Sequence, residues 1–417
     1  VTSSPKVQLA ALFRPWLTQD QWETSAVDVV RFKLFSNLLA REMGVKLYEE
    51  AGARAAFEFS LTPQRAQMQF VGFPSVLTSL VEKSLDLFGQ PILVKPETFR
   101  QAKLDLLEAY RSFPDMPSKY AVQDRDLLLV VGDHSQQDKF AALEGVDLRS
   151  VQRAPGDFFS SPHHLTALAM GNLNSSQAKA TLSKLWGGVE KDGIAQAGDD
   201  APAGEVQRVQ AVVNPGRPVE LRKKNPRPGD PNDVVVVTLL HGVTTVESRV
   251  LYGLLGQILK TLAFNELRTK RQLGYVVNSG DILLSNVHGV STLVQGRALN
   301  ADAMEAAVEA VYLKMMPDFL QALTTELFQS YRRAYKFQLL QPPVSINEEF
   351  EHFWDPITSV VECIGLRNEM LWYLEDASFT KDMLVKAWKE LVHPEGMRRK
   401  VVVKYFAGGA PPRPSLG

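Results

Sequence analysis

The densest chemistry in the chain lies in Ala263–Val277, AFNELRTKRQLGYVV. Arg268, Lys270 and Arg271 fall inside it and Lys260 stands just before it. Gly274 immediately precedes Tyr275 at what reads as a strand start. Two readings fit these residues. The more ordinary one is a solvated helix end, whose basic residues suit the negative C-terminal dipole, followed by a core tyrosine. The other is a binding site in which placed cations and a phenol meet a polar ligand.

The remaining candidates for chemistry are weaker. None of the seven histidines sits in H-E-x-x-H or H-x-x-E-H, the spacings that put two metal ligands one helical turn apart beside a glutamate base. His163 and His164 are adjacent, so on a strand they face opposite ways. Glu351-His352 lies in an aromatic, acidic helical stretch and reads as packing, as do Trp354 and Trp372. The chain contains no G-x-S-x-G elbow, no Walker A loop and no G-x-G-x-x-G after a strand. Read from its residues alone, it has no self-sufficient catalytic constellation.

Composition narrows the class further. The chain has 417 residues, is 45% hydrophobic and 22% charged, and so belongs with globular proteins of at least two cores. A net charge of −1 argues against nucleic acid, which needs an excess of Lys and Arg on one face. No apolar run approaches the ~18 residues that cross a bilayer, so no membrane partner is expected. The single cysteine, Cys363, reads as a structural thiol and fits a reducing, cytoplasmic setting. The chain starts at Val1 without a signal-peptide pattern, which reads as a fragment of something longer.

The elements that would position Ala263–Val277 recur along the chain. Val7–Phe13 reads as a strand and Ser25–Gly44 as a helix capped by Ser25. Arg54–Leu61 and Ala66–Phe73 are strands around a Thr62-Pro63-Gln64 turn. Helices near Ser75–Phe88, Glu97–Phe113 and Lys119–Val131 follow, then a strand at Leu165–Met170 and a helix at Ser175–Trp186. After a small, acidic linker, Ala195–Gly204, the order restarts. Val234–Leu240 is a strand. Thr244–Leu262 is a helix with Thr244 and Glu247 in capping-box spacing. Gly274–Leu283 and His288–Gln295 are strands. Helices near Asp302–Met316, Thr325–Leu339, Asn347–Thr358 and Thr380–Leu391 precede a last strand, Arg399–Phe406.

This is an internal repeat at an offset of about 220 residues. The expected fold is α+β, with two homologous domains, residues 1–197 and 205–410. Each is a mostly antiparallel sheet with helices packed on one face. The second copy has extra strand-like segments, Glu205–Val213 and Val219–Arg222, ahead of its main strand. The first copy has no equivalent, so it reads as truncated at its N-terminus.

The run FNELRTKRQLGYVV resembles the signature of the C-terminal, non-catalytic half of insulysin/pitrilysin-type zinc metallopeptidases, the inverzincins. LTALAMGNL, FEHFWDPI and RKVVVKYF follow the family's order, and the likeness runs from about Val7 to Phe406. It implies four homologous domains in two halves around a closed chamber, with the domains here being the third and fourth. Zinc is expected in the N-terminal half and none in this chain. The resemblance places transition-state and substrate contacts on Arg268 and Tyr275, and substrate binding on Phe264 and Gly274. The implied partners are an N-terminal catalytic half, in the same or a separate chain, and a peptide substrate. The chain alone would self-associate through an exposed sheet face and would not cut peptides. The alternative is an inactive structural or peptide-binding relative.

Overall fold

A computed structural model describes residues 5–16, 24–88, 94–112, 116–160, 163–190, 216–359, 363–392 and 398–407. The expected linker Ala195–Gly204 and the strand-like Glu205–Val213 lie outside the described residues. The chain forms two compact units that are not contiguous runs of sequence. Unit 1 takes residues 1–113, 134–207 and 343–358; unit 2 takes 114–133, 208–342 and 359–417.

Unit 1 opens with β1 (Val7–Pro15), α1 (Ala26–Lys46), the short α2 (Tyr48–Gly52), β2 (Ala56–Thr62), β3 (Arg65–Gly72), α3 (Pro74–Phe88) and α4 (Pro96–Arg111). Next in the chain, α5 (Pro117–Leu129) belongs to unit 2. Unit 1 resumes with α6 (Gln136–Glu144), α7 (Leu148–Phe159), β4 (His163–Gly171) and α8 (Ser175–Glu190). Its sheet has the order β2-β3-β1-β4, with every pairing antiparallel. Ser25 caps α1 by accepting the Asp28 N–H.

Unit 2 holds β5 (Val219–Lys224), β6 (Asp233–Val243), α9 (Val246–Ala263), β7 (Val276–Leu284), β8 (Val287–Gly296), α10 (Ala301–Ala310), α11 (Met316–Ala322) and α12 (Thr325–Leu340). Then α13 (Ile346–Thr358) belongs to unit 1, and α14 (Leu366–Glu375), α15 (Lys381–Val392) and β9 (Arg399–Phe406) complete unit 2. Its sheet order is β5-β9-β6-β8-β7; only β5 runs parallel to its neighbour. The matching strands repeat in the matching order, with β1, β2, β3 and β4 in the places of β6, β7, β8 and β9.

Each sheet carries its main layer of helices on one face. Val235, Val237 and Leu239 of β6 face the α9–α15 side, and Val7, Leu9, Ala11 and Phe13 of β1 face α1 and its neighbours. The intervening residues are buried too. Val234 and Val236 pack beneath Ala121 of α5, and Ala10 and Leu12 beneath Phe350 and Trp354 of α13. This is why both central strands read as predominantly apolar runs, broken by Gln8 and Thr238, rather than alternating ones: both of their faces are covered. The chain therefore lends each sheet its second cover from the other half of the sequence.

Three sequence expectations change. The cap of α9 is Thr245, which forms a reciprocal box with Ser248, not Thr244 with Glu247. Trp354 is core, but Trp372 is 71% exposed on α14. The α6, α7 and α14 helices were not anticipated; Pro155 and Gly156 inside α7 mask its periodicity.

Candidate functional site

The C-terminal end of α9 does not simply fray. Phe264–Lys270 continues as a π-helical turn, a wider turn that inserts an extra residue and re-aims the chain. Leu267 and Leu273 anchor it in the core, and the Leu273 N–H closes onto the Leu267 carbonyl at 2.9 Å. Glu266 ties back two of the cations, with Arg271 Nε at 2.7 Å and Lys270 Nζ at 3.5 Å. The Arg271 bond in particular holds its carboxyl below the usual range. Arg268 is treated differently. Its guanidinium lies over the Phe264 ring, 5.1 Å from the centroid, both side chains are exposed, and among the described residues it makes no ion pair. Stacking pre-sets the direction of the fork while leaving its donors available.

The turn into β7 is tight. Gln272 adopts a left-handed φ of 51°, and Gly274 lies so close to β8 that a Cβ there would overlap the Gln295 carbonyl oxygen. Gly296 meets the Leu273 carbonyl in the same way. Gly274 is thus required by the approach of two backbones within the unit. The consequence falls on the next residue. Tyr275 is not the core tyrosine of the ordinary reading: it is 56% exposed at the head of β7.

Its hydroxyl is nonetheless held. Gln295, 1% exposed, donates from Nε2 to the Tyr275 oxygen, and its Oε1 accepts the Ser118 backbone N–H at 3.0 Å. A backbone N–H can only donate, so Oε1 must face it and the amide NH₂ must face the phenol. The phenol oxygen is then an acceptor toward Gln295, which leaves its own proton to be donated to another acceptor. The sequence marks His288–Gln295 as a strand but assigns Gln295 no contact. The signal that could have found it is a polar residue among Val290, Leu293 and Val294 in a buried strand.

The other candidates are engaged in packing or ion pairs. His163 packs on Phe158 and Phe159, at 4.7 and 5.3 Å between centroids, and His164 meets Trp16 edge-on. His352 lies against Phe353. Three carboxylates do converge, those of Glu220, Asp302 and Glu305, but the Lys404 ammonium stands among them at 2.6, 2.7 and 2.5 Å. Arg222 adds bonds to Glu220 and Asp302 and, with Lys404, draws the Asp302 pKa down to about 2. The charge a metal would supply is already there.

Comparison with known proteins shows what the chain resembles. The family described as PQQ synthase PqqF-like, C-terminal lobe domain 4, matches residues 254–354, which include the π turn, Tyr275 and Gln295. Human insulin-degrading enzyme is 24% identical over 314 residues, covering 75% of this chain and 30% of its own length. The chain thus spans about a third of the length of the relatives it matches. Among solved structures, pitrilysin superposes with a TM-score of 0.79 at 17% identity, over 97% of this chain and 41% of that one. A peptidase M16 inactive domain from Pseudomonas fluorescens superposes with a TM-score of 0.72 at 14% identity, over 99% and 95%.

Proposed function

We propose that this chain, which is related to the C-terminal halves of insulinase-like M16 metallopeptidases, encloses and positions peptides for hydrolysis by a zinc-bearing N-terminal half. The observation that carries this reading is the tyrosine itself. An exposed phenol whose oxygen is fixed by a buried amide, with its proton left to donate, is poor as a packing device. It is well suited to donating a hydrogen bond to an oxygen that gains charge in a reaction. Arg268, stacked and unpaired, would hold a substrate carbonyl or carboxylate with its fork, and Phe264 would present its ring alongside. The zinc of the other half would supply the attacking hydroxide. This chain's part is to orient the peptide and to stabilise the oxyanion.

The test is cleavage of a fluorogenic peptide by the chain mixed with an N-terminal half. Activity should be absent from this chain alone, present in the mixture, and about 10²–10³-fold lower with Tyr275→Phe. Arg268→Ala should raise KM as well. Unchanged cleavage by both variants would sink the assignment. A stable mixture with no cleavage would favour an inactive structural relative.

A further inference from the structure

The sheet of unit 2 ends at β7, and the space beyond that edge is not open solvent. A cavity of about 500 Å³ lies there, and its lining comes from both sides of the sheet. Val122 and Arg125 of α5 wall it on one face; Gly256 and Lys260 of α9, with Tyr335 of α12, wall it on the other. Its floor is β7, Asn278–Ile282, together with Ser291 and Leu293 of β8. The floor residues alternate between the two faces. Asn278 pairs with Leu293, which packs under α5, whereas Ser279 pairs with and hydrogen-bonds Thr292 on the core side. A cavity walled by helices from opposite faces of a sheet must wrap around its last strand, and so takes in the place where one more strand would go.

We propose that this slot takes an extended peptide segment as an added strand on β7, and that β7 delivers it to Tyr275. An edge strand presents a row of outward N–H and C=O groups, and main-chain pairing to such an edge binds peptides with little regard to their side chains. The edge here is left usable. It contains no proline and no lysine, and a side chain placed on Gly280 would meet nothing within 4 Å. Position supplies the link to chemistry. Asn278 follows Tyr275 by three residues, about 10 Å along a strand, so a bound segment of roughly eight residues spans slot and phenol together. The equivalent edge of unit 1, β2, has a groove of about 440 Å³ lined by Ala56–Phe59 and by α1, α2 and α3 residues such as Met43, Ala51 and Leu80, with no helix from the opposite face among the described residues. It serves as the internal control.

The inference extends the peptide-handling role proposed above, and its test needs no zinc half. A fluorescein-labelled, unstructured twelve-residue peptide is titrated into the full chain by fluorescence anisotropy, with hydrogen exchange read in parallel. Binding should slow exchange across 276–284 and leave 56–62 unchanged. N-methylating alternate peptide residues removes backbone donors and keeps the side chains, and should weaken binding roughly tenfold or more. Gly280→Phe, which has room to fold, should fill the slot and weaken binding to a similar degree. Equal affinity for the N-methylated peptide, protection confined elsewhere, or no binding at millimolar peptide would each overturn the proposal. Those failures would leave the effect of Tyr275→Phe on cleavage standing. Conversely, protection of β7 with normal cleavage by that variant would leave the slot and remove the role given to the phenol.

Discussion

Ala55 and Val71 stand in unit 1 where unit 2 has Tyr275 and Gln295. Ala55 precedes β2 as Tyr275 precedes β7, and the first residues of those strands pair with Val71 and Gln295. The covering helices diverge in the same direction. Counted from their first residues, α5 and α13 carry Ala121 and Phe350 at the fifth position, and Arg125 and Trp354 at the ninth. The chain has built one scaffold twice. In unit 1 the repeated positions are filled with apolar bulk. In unit 2 they are filled with a polar relay from α5 through Gln295 to a phenol, beside a helix slim enough to leave a slot. Fold and side-chain chemistry are therefore separable in this chain: the repeated scaffold supplies the sheet and its helices, and a handful of differences between the copies gives unit 2 the exposed, hydrogen-bonded phenol that unit 1 lacks.

Trp354→Ala is the sharpest way to break the packing side of that comparison. Trp354 is 4% exposed and stacks near Phe350 with ring centroids 5.7 Å apart. Its loss should destabilise unit 1 by about 3–5 kcal/mol, with faster hydrogen exchange in β1 and β4 and little change in β6 and β9. Arg125→Ala at the same position of α5 should cost far less, since Arg125 only bonds Asp126 at 2.7 Å and reaches Ser291 at 3.4 Å. Equal costs would mean that the two helices are interchangeable covers.

The glycines give the next largest difference. Gly274→Ala would press a methyl into the Gln295 carbonyl, a backbone atom that cannot move aside, whereas at Gly72 the nearest neighbour is the Ala55 Cβ at 3.1 Å. Overpacking of the first kind should cost about 2–3 kcal/mol and displace Tyr275; the second should cost under about 1 kcal/mol. Thermal unfolding of the two variants decides. Gln295→Leu comes next. It frees the phenol without removing it, and should lower kcat of the complemented enzyme about tenfold with KM little changed. A fall in KM-controlled binding alone would show that Gln295 only shapes the fold.

Much of this scaffold was legible because its signals are local. The cap at Ser25, the 3.6-residue stripes of α1 and α9 and the predominantly apolar runs of β1 and β6 are each contained in a few consecutive residues. Arg268 and Tyr275 could be picked out because they sit in one short, family-like run. What could not be read is what depends on distant pairs. Gln295 touches Ser118, 177 residues away, and the exchange of α5 and α13 between sheets joins segments whose spacing in sequence says nothing about their neighbours. Trp372 was misjudged for a related reason: its helix is amphipathic, but only packing decides which face is inward.

Electrostatics offers the smallest and most selective test. Unit 2 concentrates cations along β9: Lys404, 3% exposed, among Glu220, Asp302 and Glu305, and the half-buried Arg398 and Lys400 on Glu309. Burial alone would raise the Glu309 pKa, and its two cationic partners more than reverse that. Asp302 is drawn from the ordinary 3.8 down to about 2, first by Arg222. A carboxyl depressed in the folded state binds its proton more readily when unfolded, so its contribution is complete above about pH 4 and is lost as pH falls toward 2. Asp302 is 47% exposed, and solvent screening reduces its share to on the order of 1 kcal/mol. Unit 2 should therefore lose stability relative to unit 1 between pH 4 and 2, and Asp302→Asn should flatten that difference while lowering stability at neutral pH. If hydrogen exchange in β6 and β9 stays level with β1 and β4 throughout that range, the network does not favour unit 2, and the contrast between the copies rests on packing and the tyrosine relay alone.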